Sequence, residues 1–350
     1  MKHIIGFFLP LCIFSFIAFG ISVAVLGLES NEALDSGLSG SVTEVTGEFH
    51  RIELVSNGID VKIYPTESPN TVIQVDDDST DAVTYRIDNG TLKLDCSKKF
   101  NDFFAFFKTL FSRKSVNIFV PVKQYDSIEA QVNAGSTEIN GVQFIKAELE
   151  LNAGNLVFAN PENWRTQNLD VELNAGNCTL YNAGTDRYDI SMNAGNIDVF
   201  GLTGSGFIEV NAGNGSISYK ELSGDISVNA SAGNVDIRLP ENSSANIICD
   251  KTAGSVEVRY GDIRQDVNDD EVVIIGDGKY NITTDITAGG INITDKVKEK
   301  KAPEIPTAPA IEKAAATTMV VQSSVYENEQ AEPVEVKTDV NVKTDVNVIV

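Results

Sequence analysis

The feature that most constrains the fold is a tetrapeptide, Asn-Ala-Gly-Asn, which recurs at a nearly constant interval. It is complete at 152–155, 174–177, 193–196 and 211–214. Shortened copies extend the series on both sides. The glycines of the full series are Gly135, Gly154, Gly176, Gly195, Gly213, Gly233 and Gly254. They are spaced by 19, 22, 19, 18, 20 and 21 residues. Repetition at a fixed period indicates stacked units that each bury an apolar face against a neighbour. The sequence therefore predicts a solenoid.

The residues on either side of the tetrapeptide predict what each unit contains. Alternating runs such as Val171–Leu173 precede it and runs such as Cys178–Leu180 follow it, which is typical of strands with one buried face. Glycine permits the positive φ that a sharp corner requires, and a second corner recurs half a period later, as at Asn182–Gly184. We expect an all-β, single-stranded parallel β-solenoid of ~20-residue rungs. The general bias of parallel crossovers favours a right-handed one.

The asparagine before each corner has two interpretations. Rungs of a solenoid lie ~4.8 Å apart, so these side chains can hydrogen-bond from rung to rung as a structural ladder that fixes the register. The alternative is a row of sugar-binding amides. The residues concerned are Asn133, Asn152, Asn174, Asn193 and Asn211.

The N-terminal segment has the pattern of a membrane anchor. Residues 4–28 form 25 consecutive positions without a charge, enough for a transmembrane helix across a ~30 Å hydrocarbon core. Lys2 and His3 precede the segment, so residues 1–3 are expected in the cytoplasm and the rest of the chain outside it. The alternative is a signal peptide cleaved after 18–20. A polar linker is predicted over 29–45.

Charge and cysteine content narrow the functional classes. The chain has 50 acidic and 27 basic residues, a formal charge of −23, which argues against nucleic-acid binding and for solubility outside the cell. Cys178 and Cys249 fall about four rungs apart in the predicted solenoid, roughly 19 Å, which is too far for a disulfide. Free buried thiols are predicted.

Two segments depart from the strand pattern. Over 98–115, six large apolar residues recur at intervals of three and four among basic residues, which predicts an amphipathic helix. This helix is expected to cap the first rungs, and a membrane-surface role is the alternative. Residues 296–350 are rich in Ala, Pro, Lys, Glu and Val and contain no glycine, so a disordered tail is predicted.

Three parts of the sequence resemble a known family. The run from Ile52 to Ile63, the valine-rich strand that ends at Pro121, and the Asn-Ala-Gly rungs are similar to the bacterial putative-adhesin domain of unknown function, which is related to head-GIN-like β-solenoids. The resemblance covers roughly 46–294, and a solenoid domain is assigned to 46–295. It implies a right-handed β-solenoid outside the cytoplasm, commonly tethered to the membrane, and it supplies no catalytic residues.

No motif for catalysis, cofactor binding or metal binding was found. Alternation places six acids outward, which is ordinary for soluble strands: Glu150, Glu172, Asp198, Glu209, Asp236 and Glu257. The predicted function is a membrane-anchored, non-enzymatic surface or adhesin-like binding protein, with a cell-envelope glycan or a membrane protein as partner. The alternatives are an accessory partner in envelope-stress sensing and a carbohydrate-processing β-helix enzyme.

Overall fold

The computed structural model describes residues 41–75, 83–97, 115–269, 271–295, 299–306 and 308. These residues are all-β and contain no helix. The strands are β1 Ser41–Val45, β2 Arg51–Asn57, β3 Asp60–Thr66, β4 Thr71–Val75, β5 Val83–Asp88, β6 Thr91–Ser97, β7 Ser115–Pro121, β8 Gln124–Ala134, β9 Ser136–Asn140, β10 Gln143–Leu151, β11 Asn155–Ala159, β12 Thr166–Leu173, β13 Asn177–Tyr181, β14 Thr185–Met192, β15 Asn196–Leu202, β16 Ser205–Tyr219, β17 Ile226–Arg238, β18 Ala245–Lys251, β19 Ser255–Tyr260, β20 Ile263–Asp266, β21 Val272–Ile275 and β22 Tyr280–Thr294.

Parallel pairing stacks the strands into two columns. The first column contains β6, β2, β8, β10, β12 and β14, followed by the N-terminal halves of β16, β17 and β22 and finally β18. The second contains β7, β3, β9, β11, β13 and β15, then the C-terminal halves of the same three strands and β19. Each rung therefore contributes one strand segment to each column, as the repeat predicts.

The core lies between the two columns because each strand alternates between buried and exposed side chains. In β12, Leu169, Val171 and Leu173 point inward and are at most 1% exposed. One hydrophobic cluster contains the inward residues of both columns. The rings of Tyr125, Phe144 and Phe158 continue through this cluster, with centroids 5.8 and 6.4 Å apart.

The rungs at both ends are not stacked in chain order, which the sequence did not predict. The rung of β2 and β3 lies between the rung of β6 and β7 and the rung of β8 and β9. At the other end, β22 lies between β17 and the rung of β18 and β19. The turn residues Gly276-Asp-Gly278 between two strand-like runs predict a hairpin over 272–283. This prediction is wrong, since β18 separates β21 from β22. At each end, rungs that are neighbours in the stack are therefore not neighbours in the sequence.

Antiparallel strands close the outermost rungs. At the N-terminal end, β5 pairs with β6, β4 pairs with β7, and β1 pairs with β4. At the C-terminal end, β21 pairs with β18 and β20 with β19. Such strands occupy backbone groups that would otherwise invite association with another chain. The predicted helix over 98–115 lies outside the described residues except for Ser115 in β7.

The Asn89-Gly90 pair between the alternating runs 85–87 and 92–94 predicts a two-residue hairpin, which the structure confirms. Asn89 and Gly90 both have positive φ, 49° and 72°, between the antiparallel strands β5 and β6. Two consecutive positive φ values are the signature of a type I′ turn, whose twist matches that of the strands it joins. Local sequence was sufficient here because the turn itself selects the pairing.

Two predicted boundaries differ from the structure. The predicted linker over 29–45 includes β1, whose Val45 is buried when the strand pairs with β4. The predicted disordered tail begins at 296, yet Ala302 and Ala308 pack against apolar residues of the solenoid. In both cases an apolar surface elsewhere in the chain supplies contacts that the local sequence does not. Among the residues described, none belongs to a helix long and apolar enough to cross a membrane, and 4–28 lies outside them.

Cys178 and Cys249 are free and buried, as predicted, and Cys96 is also free and buried. The rungs of β14, β16, β17 and β22 lie between those of Cys178 and Cys249, one more than predicted because β22 is inserted. Burial raises the pKa of the Cys96 and Cys178 thiols to about 12. These two thiols are therefore protonated and unreactive at neutral pH.

Candidate functional site

The outer surface of β8, β10, β12, β14 and β16 carries three parallel rows of polar side chains, which we call the acid and amide face. Every second residue of a strand points to this side, so each strand adds one residue to the second and third rows. The first row takes one acid from each of the first four strands, and β16 has Phe207 at the fifth position. The first row is Glu129, Glu148, Asp170 and Asp189; the second is Gln131, Glu150, Glu172, Ser191 and Glu209; the third is Asn133, Asn152, Asn174, Asn193 and Asn211.

The third row is a continuous ladder of amides. Each Nδ2 donates to the Oδ1 of the preceding rung, over 2.9 Å from Asn152 to Asn133, 3.0 Å from Asn174 to Asn152, 2.6 Å from Asn193 to Asn174 and 3.1 Å from Asn211 to Asn193. Ser231 ends the ladder with a bond of 3.1 Å to Asn211. These amides are used to join rungs, as the structural interpretation of the row requires.

The same amides also hold the second row of acids. The Nδ2 groups of Asn152, Asn174 and Asn211 donate to the glutamate two residues earlier, at 2.7, 3.1 and 3.1 Å respectively. Both N–H groups of each of these amides are therefore engaged. At these three rungs the groups left to meet a ligand are carboxylate oxygens, which accept hydrogen bonds and carry negative charge.

A second amide ladder runs along the other side of the corner. It consists of the last asparagine of each tetrapeptide: Asn155, Asn177, Asn196, Asn214 and Asn234. Sequence analysis did not identify this row, although it has the same period as the first. Two ladders on opposite sides of one turn fix both strands of a rung in register.

Between the two ladders the corner glycines stack backbone on backbone. A Cβ added to Gly176 would lie 2.2 Å from the carbonyl oxygen of Gly154, and the other central corners are equally close. Of the seven predicted corner glycines, six have positive φ and Gly233 does not. Gly289 lies between Gly233 and Gly254 in the stack because β22 is inserted there. Close approach of the rungs thus excludes a side chain at the central corners.

The six predicted outward acids divide between the two columns. Glu150, Glu172 and Glu209 lie on the acid and amide face, whereas Asp198, Asp236 and Glu257 lie on the second column. On that second column, Asp236 accepts hydrogen bonds from Arg238 and Asn292, and Glu257 pairs with Arg259. Serine and asparagine separate the three acids from one another, since Ser216 and Asn292 occupy the intervening rungs.

The first row is the most concentrated array of charge on the face. Glu129, Glu148, Asp170 and Asp189 are direct neighbours on consecutive rungs, which places like charges at the ~4.8 Å strand spacing. Within the described ranges, no lysine or arginine is ion-paired to any of these four side chains. The same ranges contain no group of three acids, histidines or cysteines arranged to hold a metal ion.

Asp170 shows the electrostatic consequence of this arrangement. Partial burial raises the pKa of the Asp170 carboxyl, and the neighbouring charges of Asp189, Glu148 and Glu172 raise it further. Like charges on adjacent strands favour the protonated form of the residue between them. Lys146 and Arg187 lie two residues before Glu148 and Asp189 on the same side of their strands, without an ion pair to either acid, so the face keeps a net negative charge.

We expect Asp170→Asn to stabilise the protein at neutral pH. A raised pKa in the folded state means that the folded protein holds this proton more tightly than the unfolded chain. The stabilisation that protonated Asp170 gives the folded protein is therefore complete below the ordinary aspartate pKa of 3.8. It is lost as the pH rises through the raised pKa of the folded state. The gain at about pH 7 should be about 0.5 kcal/mol, the scale of exposed charge pairs, and should vanish near pH 3.

Thermal unfolding of the variant and the parent at both pH values measures this effect. Asp198→Asn is the matched control, because it removes the same charge from the second column, where Thr179 and Ser216 are its neighbours. If the two variants are stabilised equally, or if the stabilisation persists at pH 3, charge repulsion within the first row is not its cause.

The first row could have been found from the sequence by counting. Its members lie six residues before Gly135, Gly154, Gly176 and Gly195, and the second row lies four residues before the same corners. Counting from the corners requires that the register of the strands be the same at every corner, although the number of residues between corners varies. The two rungs separated by 22 residues accommodate their extra residues at 160–165, outside the paired strands.

Comparison with known proteins places the chain among related folds. The family model Toastrack DUF4097 matches residues 49–294. No curated protein matched the chain. Similar solved structures include a putative adhesin from Bacteroides fragilis, with 14% identity over 75% of this chain and 100% of that one and a TM-score of 0.43. A putative adhesin from Parabacteroides distasonis has 13% identity over 74% of this chain and 98% of that one, with a TM-score of 0.44. A putative cell adhesion protein from Clostridium sporogenes has 16% identity over 74% of this chain and 100% of that one, with a TM-score of 0.25.

Proposed function

Because this chain belongs to the Toastrack DUF4097 family, we propose that it is a non-enzymatic binding protein, anchored in the membrane through residues 4–28, whose right-handed solenoid presents the acid and amide face outside the cytoplasm. The anchor and its orientation rest on the uncharged run of 25 residues and on the lysine that precedes it. The partner is a component of the cell envelope that carries positive charge.

The observation that carries this proposal is the in-register first row of unpaired carboxylates. A row of like charges costs stability: besides partial burial, which is the larger cause, the neighbouring acids raise the pKa of Asp170. A cationic partner that binds along the row would relieve this repulsion and would gain a set of charge-assisted hydrogen bonds. Both N–H groups of Asn152, Asn174 and Asn211 are already engaged, so at these rungs the face favours a ligand that donates hydrogen bonds over one that needs amide donors.

The rigidity of the face supports binding. Gln131 and Asn152 both donate to Glu150, at 3.2 and 2.7 Å, and these bonds orient its carboxylate before any ligand arrives. A pre-oriented group loses less conformational entropy on binding than a free one. The repeat then offers the same geometry on several consecutive rungs, which suits a partner with regularly spaced charges, whether an envelope glycan bearing amines or a basic protein surface.

Binding of the full-length protein in detergent tests this proposal. We expect the triple variant Glu148→Gln, Asp170→Asn, Asp189→Asn to bind its envelope partner about tenfold more weakly, equivalent to roughly 1.4 kcal/mol. The probes are isolated envelope glycan and detergent-solubilised membrane proteins from the same source. Binding should weaken with added salt, because exposed charges are screened.

A matched control separates the face from overall charge. The variant Asp198→Asn, Glu162→Gln, Glu241→Gln removes the same number of charges from exposed positions away from the face. An equal loss in both variants would refute a specific site. Capture of one membrane protein without glycan binding would favour the envelope-sensing accessory role, and shortening of the glycan on incubation would favour carbohydrate processing.

A further inference from the structure

A column of aromatic and small side chains runs along the outside of the second column of strands. We call it the flank column; it consists of Phe119, Tyr64, Asn140, Ala159, Tyr181 and Phe200, one residue on each of six consecutive rungs. Each follows an inward residue such as Phe158 or Leu180, so alternation predicts that it should be exposed. Instead Asn140 is 2% exposed, Ala159 1%, Tyr181 6% and Phe200 8%.

The chain's own C-terminal segment contacts this column. Residues 299–306 and 308, which we call the strap, lie across the rungs. Lys300 Nζ lies 5.7 Å from the ring centroid of Tyr181 and 5.9 Å from that of Phe200. Ala302 packs against Ala159, Tyr181 and Phe200.

The contacts continue to the far end of the column. Asn140 Nδ2 donates a 2.9 Å hydrogen bond to the carbonyl oxygen of Pro303. Ile305 lies over Gly141, where an added Cβ would overlap its Cδ1 atom. Ala308 completes the cluster of Tyr64, Val72 and Phe119.

The flank column and the strap have the same length. From Phe200 to Phe119 the column advances five rungs, about 24 Å at the ~4.8 Å spacing. From Lys300 to Ala308 an extended chain at ~3.1 Å per residue covers about 25 Å. Pro303 and Pro306 favour this extended conformation before docking and so lower its entropic cost. The strap therefore matches the column in length as well as in contacts.

We propose that the flank column is a binding groove for an extended, proline-containing segment, and that its occupant is this chain's own strap, held reversibly. The contacts of the described strap residues are few: alanine methyl groups, the Ile305 side chain over Gly141, one hydrogen bond to the main chain, and one lysine over two rings. A site this small is filled because the strap is covalently attached, which supplies an effective concentration of about millimolar. Release of the strap uncovers a row of aromatic residues on a surface distinct from the acid and amide face.

Hydroxyl-radical footprinting of the full-length protein tests the proposal. In Ala302→Asp, a carboxylate replaces the methyl group that packs against the cluster of Ala159, Tyr181 and Phe200. We expect oxidation of the two rings to rise by about threefold or more as local opening exposes them. Lys301→Ala is the matched control, since Lys301 is exposed on the strap. Oxidation of the fully buried Phe144 should stay unchanged in both variants and so reports that the core is intact.

A synthetic peptide of residues 299–308, added at about millimolar concentration, should restore protection of Tyr181 and Phe200 in Ala302→Asp. The same peptide carrying aspartate in place of Ala302 should not. Unchanged oxidation in Ala302→Asp would overturn the proposal, as would a peptide that fails to protect. Protection in the parent that depends on protein concentration, together with a doubled mass, would show that a second copy supplies the strap and would overturn the intramolecular assignment.

Discussion

Gly176→Ala is expected to lower the free energy of unfolding by about 3–5 kcal/mol, combining backbone strain with overpacking. Gly176 has a φ of 116°, which side-chain-bearing residues rarely adopt. Its added Cβ would lie 2.2 Å from Gly154 O and 3.0 Å from Gly154 N. Both obstacles are backbone atoms, so the rungs must move apart and weaken the amide ladders on either side of the corner.

Denaturant unfolding of Gly176→Ala and Gly261→Ala separates strain from overlap. Gly261 also has a positive φ, 54°, but nothing lies within 4 Å of its added Cβ. Its replacement should cost only the backbone term, about 1–2 kcal/mol. If the two variants lose the same stability, contact between stacked corners is not what requires glycine.

Phe144→Ala is expected to destabilise the solenoid by about 3–5 kcal/mol, the usual cost of removing a buried phenylalanine. Phe144 is fully buried between Tyr125 and Phe158. Its removal leaves a cavity that neighbouring rungs cannot fill, because the ladders hold them at fixed spacing.

The single tryptophan provides the measurement. Trp164 Nε1 donates a 2.9 Å hydrogen bond to the carbonyl oxygen of Phe144, so its fluorescence reports on these rungs during unfolding. Tyr85→Ala is the matched control, because Tyr85 is an aromatic residue on a capping strand and is 37% exposed. Its loss should cost less than about 1 kcal/mol. Similar losses in the two variants would contradict the importance of the central ring stack.

The repeating part of the fold could be predicted because its information is local. Each Asn-Ala-Gly-Asn corner determines a close approach of rungs, and the alternation on either side determines which side chains are buried. The same local rule identifies the rows of the candidate site: Asp170 and Asp189 each lie six residues before a corner glycine, and Tyr181 and Phe200 each lie five residues after one. These rows follow once the register is known to be constant at every corner.

The order of the end rungs could not be predicted from such rules. β2 pairs with both β6 and β8, and β22 pairs with β17, β18 and β19. Parallel strands of similar pattern are compatible with several neighbours, and the choice depends on which exposed edges remain elsewhere in the chain. Sequence spacing alone therefore gave a chain-order stack and missed both insertions.

The rung, its corners, its inward residues and the family could all be recognised in the sequence, because they depend on residues within one period of each other. Tertiary structure alone decided the order of the terminal rungs, the antiparallel strands that close them, and the strap over the flank column. The strap, residues 299–306 and 308, is the clearest case, because its residues have the composition of a disordered segment. They are placed by aromatic residues more than 90 positions earlier, such as Tyr181 and Phe200, which no local pattern connects to them.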